Sequence, residues 1–322
     1  MSRSNIQECE RYENLTFRNI FQKDEFGEIK EQKIPSNTNV SRLESLLTDY
    51  SVTACNFEYH VISSTDVDSS NIISLYQSES IKELRKNALL TAENDRKMLF
   101  NASIKATSQD FYKAVKVEAH CGQKERIGEK GDGGKYVCNP KKVKKDCTLL
   151  SLGLNNQIGY DQHIYEATGR QCKILGADLD PQNQQTKDSY AKMNGELFAG
   201  RIPSEITIPK MLEKAGRKEV ELLKIDIEGG EVTALEPLIK DYFVCQIFIE
   251  IHGMPSDHLR MLQIIAKYGF RIFNVDENLL CPMCCEYSMI NELCMAQFGV
   301  VPLGITIPQQ VDVRRNGQSN GN

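Results

Sequence analysis

The sequence predicts an α/β fold, a mostly parallel sheet with helices on both faces, behind a poorly defined N-terminal extension. Three observations predict it. From Cys121 onward, short apolar runs alternate with amphipathic stretches in the rhythm of strand, loop and helix. Several runs end in carboxylates or glycines, as strands do at the crevice where open sheets bind ligands. The 322-residue chain is also long enough for one substantial domain of about 200 residues and an appendage.

Taken in order, residues 1–105 read as an extension, part irregular and part helical, with VTACNFEYHVI as a possible strand. Ile81, Leu84, Ala88, Leu89 and Ala92 recur at helical spacing within 78–100, and a second helix is expected near 108–118. The domain proper spans 106–310. Its strands are CTLLSLG, CKILGADLD, a weaker ELFAG, ELLKIDI, VCQIFIEIH, RIFNVDE and CMAQFGVV, the last two forming an antiparallel edge around an irregular DENLLCPMCCEYSMINEL. Helices are expected at QIGYDQHIYEATG, before Gly216, at EVTALEPLIKDY and at SDHLRMLQIIAKYG, where Leu259, Leu262, Ile265 and Ala266 share a face. Residues 311–322 read as a disordered tail.

Composition excludes several classes. A net charge of −5 leaves no electrostatic footprint for nucleic acid. The run Lys141, Lys142, Lys144, Lys145 reads as a solvated turn before a strand. No apolar run is long enough to span a membrane. The first residues, MSRSNIQECERYENL, lack the apolar core of a secretory signal, which points to the cytosol unless the native start lies elsewhere. Sequons stand at Asn14, Asn39 and Asn101 and matter only in the secretory pathway. Of 11 cysteines, Cys147, Cys172 and Cys245 read as small core hydrophobes, while Cys281, Cys284, Cys285 and Cys294 fit no standard zinc knuckle and read as disulfides or buried thiols. No metal site is expected.

The chemistry is expected where strands stop. ELLKIDI ends in Asp226 and Glu228 before Gly229 and Gly230, an acidic crevice suited to a cationic or hydroxyl-rich ligand. The first loop, Ser151-Leu152-Gly153-Leu154-Asn155, has one glycine and lacks the GxGxxG that seats a pyrophosphate, which disfavours a nicotinamide oxidoreductase. Its amides and hydroxyl suit a zwitterionic amino-acid tail. Asp178 and Asp180 end the second strand within reach of ribose hydroxyls. Upstream, RIGEKGDGGKY is either a plain turn or a loop folded over the ligand, with Asp132 facing it beside Gly133 and Gly134. These features together point to S-adenosylmethionine.

RIGEKGDGGKYVC, SLGLNNQIGYD, GADLDP, LLKIDIEGGE and QIFIEIH, in that order, resemble the FkbM-type methyltransferase family, most closely its animal branch with the methyltransferase-like 24 proteins. The resemblance covers about 120–308 and implies a class I, Rossmann-like seven-stranded sheet around S-adenosylmethionine. It implies that Gly153 and Asn155 hold the methionine end, that Asp180 before Pro181 takes the ribose, and that Asp226 and Glu228 carry the fourth-strand signature. Ser151 stands where many relatives carry an acid, and Asp161 is the expected substitute.

The reaction expected is in-line methyl transfer, most simply to oxygen, on a small-molecule or glycan-like acceptor. An alcohol needs a base; the candidates are Asp226 and His252, with Glu250 orienting the histidine and Glu228 fixing acceptor or cofactor ammonium. The alternative is a catalytically inactive binding module that keeps the fold.

Overall fold

The computed structural model describes residues 78–130 and 133–308 in full and, before them, the backbone of three strands. The chain divides into two compact units, 1–74 and 75–322. In the first, β1 (Phe17–Lys23) pairs antiparallel with β2 (Ile29–Lys33) and β3 (Val61–Ser63). Most of VTACNFEYHVI, the sequons at Asn14 and Asn39, Asp132 and the C-terminal tail lie outside the described residues.

The second unit opens with α1 (Glu79–Lys105), so this helix belongs with the larger body and not with the extension expected to run to 105. Its inward side keeps part of the expected stripe: Ile81, Ala88 and Ala92 are half-buried and Leu99 and Ser103 beyond them are buried, whereas Leu84 and Leu89 are exposed. Gly304 shows how closely the C-terminal segment crosses it, since a Cβ there would lie 2.3 Å from the Ala88 carbonyl oxygen. The short α2 (Ser108–Ala114) follows, capped by Thr107.

Two small ribbons flank the main sheet. β4 (Ala119–Cys121) pairs with β14 (Val300–Pro302), and β5 (Lys124–Ile127) pairs with β6 (Lys135–Cys138). Between β6 and β7 the lysine run 141–145 is solvent-facing, as expected of a turn.

The main sheet has seven strands in the order β12-β13-β11-β10-β7-β8-β9. They are β7 (Thr148–Leu152), β8 (Lys173–Asp178), β9 (Glu196–Ala199), β10 (Glu219–Ile225), β11 (Phe243–His252), β12 (Phe270–Glu277) and β13 (Cys284–Asn291). All neighbours are parallel except β13, which runs antiparallel to β11 and β12. The antiparallel edge was expected, but its strand was not: β13 lies inside the segment read as irregular. The run CMAQFGVV is instead the single turn α8 (Met295–Phe298) and β14. Every residue of CCEYSMIN is buried, so its polar residues are hidden among partners and the period-two signal that marks a half-exposed strand is absent.

Helices cover both faces. Leu223, Ile225, Ile247 and Ile249 point into one layer with residues of α2, α5 (Ile208–Lys214), α6 (Glu231–Asp241) and α7 (Pro255–Lys267). Leu222 and Phe248 point into the other with Tyr160 and Ile164 of α3 (Gly159–Ala167) and Tyr190 of α4 (Gln184–Lys192). This alternation follows from the two-residue period of a strand. On α7, the expected face forms: Leu259, Leu262 and Ile265 are buried.

The cysteines overturn one expectation. Cys147 pairs with Cys172 and Cys245 with Cys294, so residues read as isolated core hydrophobes are cross-links; Cys121–Cys138 and Cys281–Cys284 are also disulfides among the described residues. Their Cα–Cα distances, 4.4 to 6.0 Å, are those of ordinary disulfides. Cys285 is a free, buried thiol. Apolar flanks hide a cystine as readily as a thiol, which is why the run pattern did not separate them.

Candidate active site

β7 and β10 stop side by side, with Leu152 and Ile225 in register. The next residues, Gly153 and Asp226, make the tightest approach in the crevice. A Cβ on Gly153 would lie 1.7 Å from the Asp226 carbonyl oxygen, and its φ of +82° is one that glycine adopts without strain. Gly153 N–H donates to Ala177 O at 2.9 Å, and its carbonyl accepts from Lys224 Nζ at 2.9 Å. Asn155, at φ 45°, donates its N–H to Asp178 Oδ2 at the end of β8. Asp178 therefore closes the first loop with one carboxylate oxygen. Asp180 is exposed, and its N–H lies 3.5 Å from Asp178 Oδ1.

The glycine-rich loop before β6 folds against the start of α3, where Gly128 N–H donates to His163 Nδ1 at 3.0 Å. Gly134 allows the loop to double back, since a Cβ there would lie 2.2 Å from Glu129 O. Gly133 has open space around it.

Beneath these loops Ser151 Oγ and Asp161 Oδ2 are buried without a well-formed hydrogen bond, the Ser151 hydroxyl lying close enough to help hold the Asp161 carboxyl down. The other Asp161 oxygen accepts from Tyr190 Oη at 2.7 Å. Burial pushes the Asp161 carboxyl up despite the Lys224 ammonium nearby. Burying a polar group unpaired costs about 1–3 kcal/mol, a cost that a hydrogen-bonding ligand at this strand end would relieve.

On the other side of Asp226 stands His252, the last residue of β11. Its Nε2 lies 4.0 Å from Asp226 Oδ1 and 3.5 Å from Glu228 Oε2, and its Nδ1 lies 3.7 Å from Glu231 Oε1. These are ion-pair distances, and the buried Nδ1 has no hydrogen-bond partner. Glu231 is nearly buried and also caps the turn into α6 by accepting from Ile227 N–H at 2.9 Å. Its carboxylate, with those of Asp226 and Glu250, holds the imidazole up at about 9 against the effect of burial. Burial raises Asp226 itself to about 6, although Lys224 and Lys135 pull it down.

Glu250 does not bond the histidine. It accepts from Asn278 Nδ2 at 2.9 Å and pairs with Lys135 Nζ at 3.4 Å. Lys135, 1% exposed, also pairs with Glu286 Oε1 at 2.7 Å. Burial alone would raise Glu250, but the Lys135 ammonium brings it below the ordinary carboxylate range. Glu286, also raised by burial, stands at about 7. Arg126 completes the group by pairing with Asp276.

The structure thus gathers Ser151, Gly153, Asn155, Asp161 and Asp178 at one side of Asp226 and Glu228 and His252 at the other, with Glu250 behind the histidine. Lys135, Lys224, Glu231 and Glu286 were not anticipated. Lys224 carried a usable signal, a charge in the middle of the apolar run ELLKIDI; Lys135 carried none, because its partners lie more than 100 residues away.

The FkbM methyltransferase domain family matches residues 110–272. No curated protein matches the chain. Among solved structures, a SAM-dependent methyltransferase from Aquifex aeolicus aligns at 14% identity over 48% of this chain and 90% of its own, with a TM-score of 0.30. Precorrin-6y C5,15-methyltransferase from Geobacter metallireducens aligns at 9% identity over 47% and 83%, TM-score 0.34. A protein of the NADB-Rossmann superfamily from Streptococcus agalactiae aligns at 16% identity over 50% and 71%, TM-score 0.33. The chain belongs to the FkbM methyltransferase family, and its cofactor is S-adenosylmethionine. The residues present suit that cation: carboxylates of Asp161, Asp178, Asp226 and Glu228 surround the crevice, and two orphaned polar atoms wait beneath it.

Proposed function

We propose that this protein methylates a hydroxyl oxygen of a small-molecule or glycan-like acceptor, with Asp226 as the base. One observation carries the reading: Asp226 touches both halves of the crevice, its backbone against Gly153 and its carboxylate beside His252. When bound, S-adenosylmethionine supplies an electrophilic methyl group on a sulfonium. Ser151 and Asp161 would hold its methionine end together with Gly153 and Asn155. Asp178 and Asp180 would take the ribose, and the loop with Asp132, Gly133 and Gly134 would cover it.

Asp226 would take the acceptor's proton as the acceptor oxygen gains the methyl group, the methyl–sulfur bond breaking with its electron pair left on the sulfur of S-adenosylhomocysteine. A carboxyl raised to about 6 is ionised at neutral pH yet more basic than an ordinary carboxylate, which suits that task. His252, held at about 9, already carries its proton at neutral pH and acts as a donor that orients the acceptor oxygen. Glu228, on a left-handed turn and largely exposed, meets the acceptor at the mouth. Much of the acceleration would come from alignment and exclusion of water.

Calorimetry with S-adenosylmethionine on the full chain tests the reading. Binding that Ser151→Ala weakens and Asp161→Ala removes supports it. Folded protein that binds the cofactor but forms no product with any acceptor in a hydroxyl-compound screen would be the inactive binding module. Absence of binding would reject the cofactor assignment.

A further inference from the structure

The loop between β12 and β13, residues 278–283, is an uncharged turn with two leucines at its tip. Leu279 is 89% exposed and Leu280 82%, the most exposed large apolar side chains among the described residues. Met254 and Met283, both more than half exposed, flank them on neighbouring loops that Gly253 N–H joins by donating to Met283 O at 3.0 Å.

This loop is held rigidly. The Cys281–Cys284 disulfide closes its second half, Cys281 N–H donates to Asn278 O at 3.2 Å across the two leucines, and Leu280 N–H donates to Asn278 Oδ1 at 3.0 Å. Cys284 N–H donates to Cys281 O at 2.9 Å, and the buried His258 holds Met283 O through Nε2 at 3.1 Å. A flexible loop could fold its leucines inward; a stapled one keeps them in water until something covers them. The loop also belongs to the crevice wall. Asn278 bonds Glu250, and Cys284 lies opposite His252 in the sheet register.

We propose that residues 278–283 insert into a neutral lipid–water interface and so place the mouth of the crevice at that surface. Projecting leucines do not form the concave wall that encloses a small ligand. The loop has no charge or aromatic ring of the kind that anchors protein interfaces. The chain enters the loop through Asp276, paired with Arg126, and Glu277, and Asp257 accepts from Met254 N–H, so acids outnumber cations beside the patch, which argues against an anionic surface and for a zwitterionic one. Docking goes beyond the methyl-transfer reading and does not depend on it.

The chain has no tryptophan, so Leu280→Trp introduces a single reporter. The full chain carrying it is mixed with phosphatidylcholine vesicles. The expected result is a blue-shifted emission, with the wild-type chain co-sedimenting and Leu279→Ser/Leu280→Ser partitioning at least ~10-fold more weakly. An unshifted emission with equal sedimentation of both proteins would overturn the proposal. So would a concentration-dependent shift without vesicles, which would mean that a second copy covers the loop. Binding restricted to phosphatidylserine vesicles and insensitive to the serine substitutions would place the contact elsewhere and also overturn it. S-adenosylmethionine calorimetry on the same variants is expected to be unchanged, which keeps this test separate from that of the cofactor.

Discussion

The two halves of the crevice meet at Asp226 and are built by different means. On one side of Asp226, the proposed cofactor side, the ends of β7 and β8 are shaped by backbone: Gly153 against Asp226 O, Asn155 N–H on Asp178, Gly134 under Glu129 O. On the other, the proposed acceptor side, β6, β11 and β13 are held by side-chain charge, with Lys135 between Glu250 and Glu286 and Arg126 on Asp276. Each half leaves two buried polar atoms unpaired, Ser151 Oγ and Asp161 Oδ2 in the first and His252 Nδ1 and Glu286 Oε2 in the second, but only in the second are buried charges matched by opposite ones. A backbone cradle tolerates little substitution but can stay empty, whereas a buried charge network loses most when one member is removed.

The hinge of the comparison is Asp226. Asp226→Asn keeps the size of the side chain and removes the proposed base, so transfer is expected to fall by roughly 10²–10⁴-fold with the fold retained, read as initial rate beside a circular dichroism spectrum. Retained turnover would remove Asp226 from the mechanism.

Lys135→Met tests the charge-built half. It leaves Glu250 and Glu286 buried without their cation, and a loss of about 3–5 kcal/mol in urea unfolding is expected. Adding Glu250→Gln and Glu286→Gln should recover much of it. If Lys135→Met alone were neutral, the acceptor side would not depend on that network.

The backbone-built half is tested at Gly153. Gly153→Ala puts a methyl group into the Asp226 carbonyl at a positive φ, for an expected loss of roughly 2–3 kcal/mol and of cofactor binding. Equal stability and affinity in that variant would mean that the two strand ends separate easily.

Stability against pH separates the halves again. The folded value of His252 is raised from 6.5 to about 9, so the fold binds that proton more tightly than the unfolded chain does. Its contribution is complete below 6.5 and is lost as pH rises through about 9, with an expected fall of roughly 1–3 kcal/mol between those limits. His252→Gln should flatten that window in denaturant titrations. A wild-type curve already flat there would mean that the three carboxylates do not hold the proton.

The smallest effect is expected at Ser151. Ser151→Ala removes a hydroxyl that the protein itself leaves unpaired, so stability should hold within about 0.5 kcal/mol while cofactor affinity falls by several-fold. Unchanged affinity would show that the orphaned oxygen does not face the ligand.

The same contrast explains what could be read in advance. Strand ends such as SLGLNN, GADLD and KIDIEGGE declare themselves because apolar run, glycine and acid lie within a few residues of each other. The assignments of Gly153, Asp178 and Asp226 to the crevice edge follow from such local signals. Glu250 looked like a partner for His252 because the two are adjacent on one strand face, yet Lys135 and Asn278 compete for it more closely than the imidazole does. β13 was missed because burial on both faces erased its alternation, and the cystines because Cys147 and Cys172 belong to different strands.

What the sequence determined by itself was the α/β architecture, the order of its motifs, the family and hence the cofactor. Each rests on periodicity and on residue types fixed within a short window, where local sterics and polarity dominate. Tertiary structure alone decided which carboxylates gather around His252, which cation neutralises Glu250, which cysteines pair and which leucines remain in water. Those are contacts between residues far apart in the chain, and their energies depend on distance and burial that only the assembled sheet supplies.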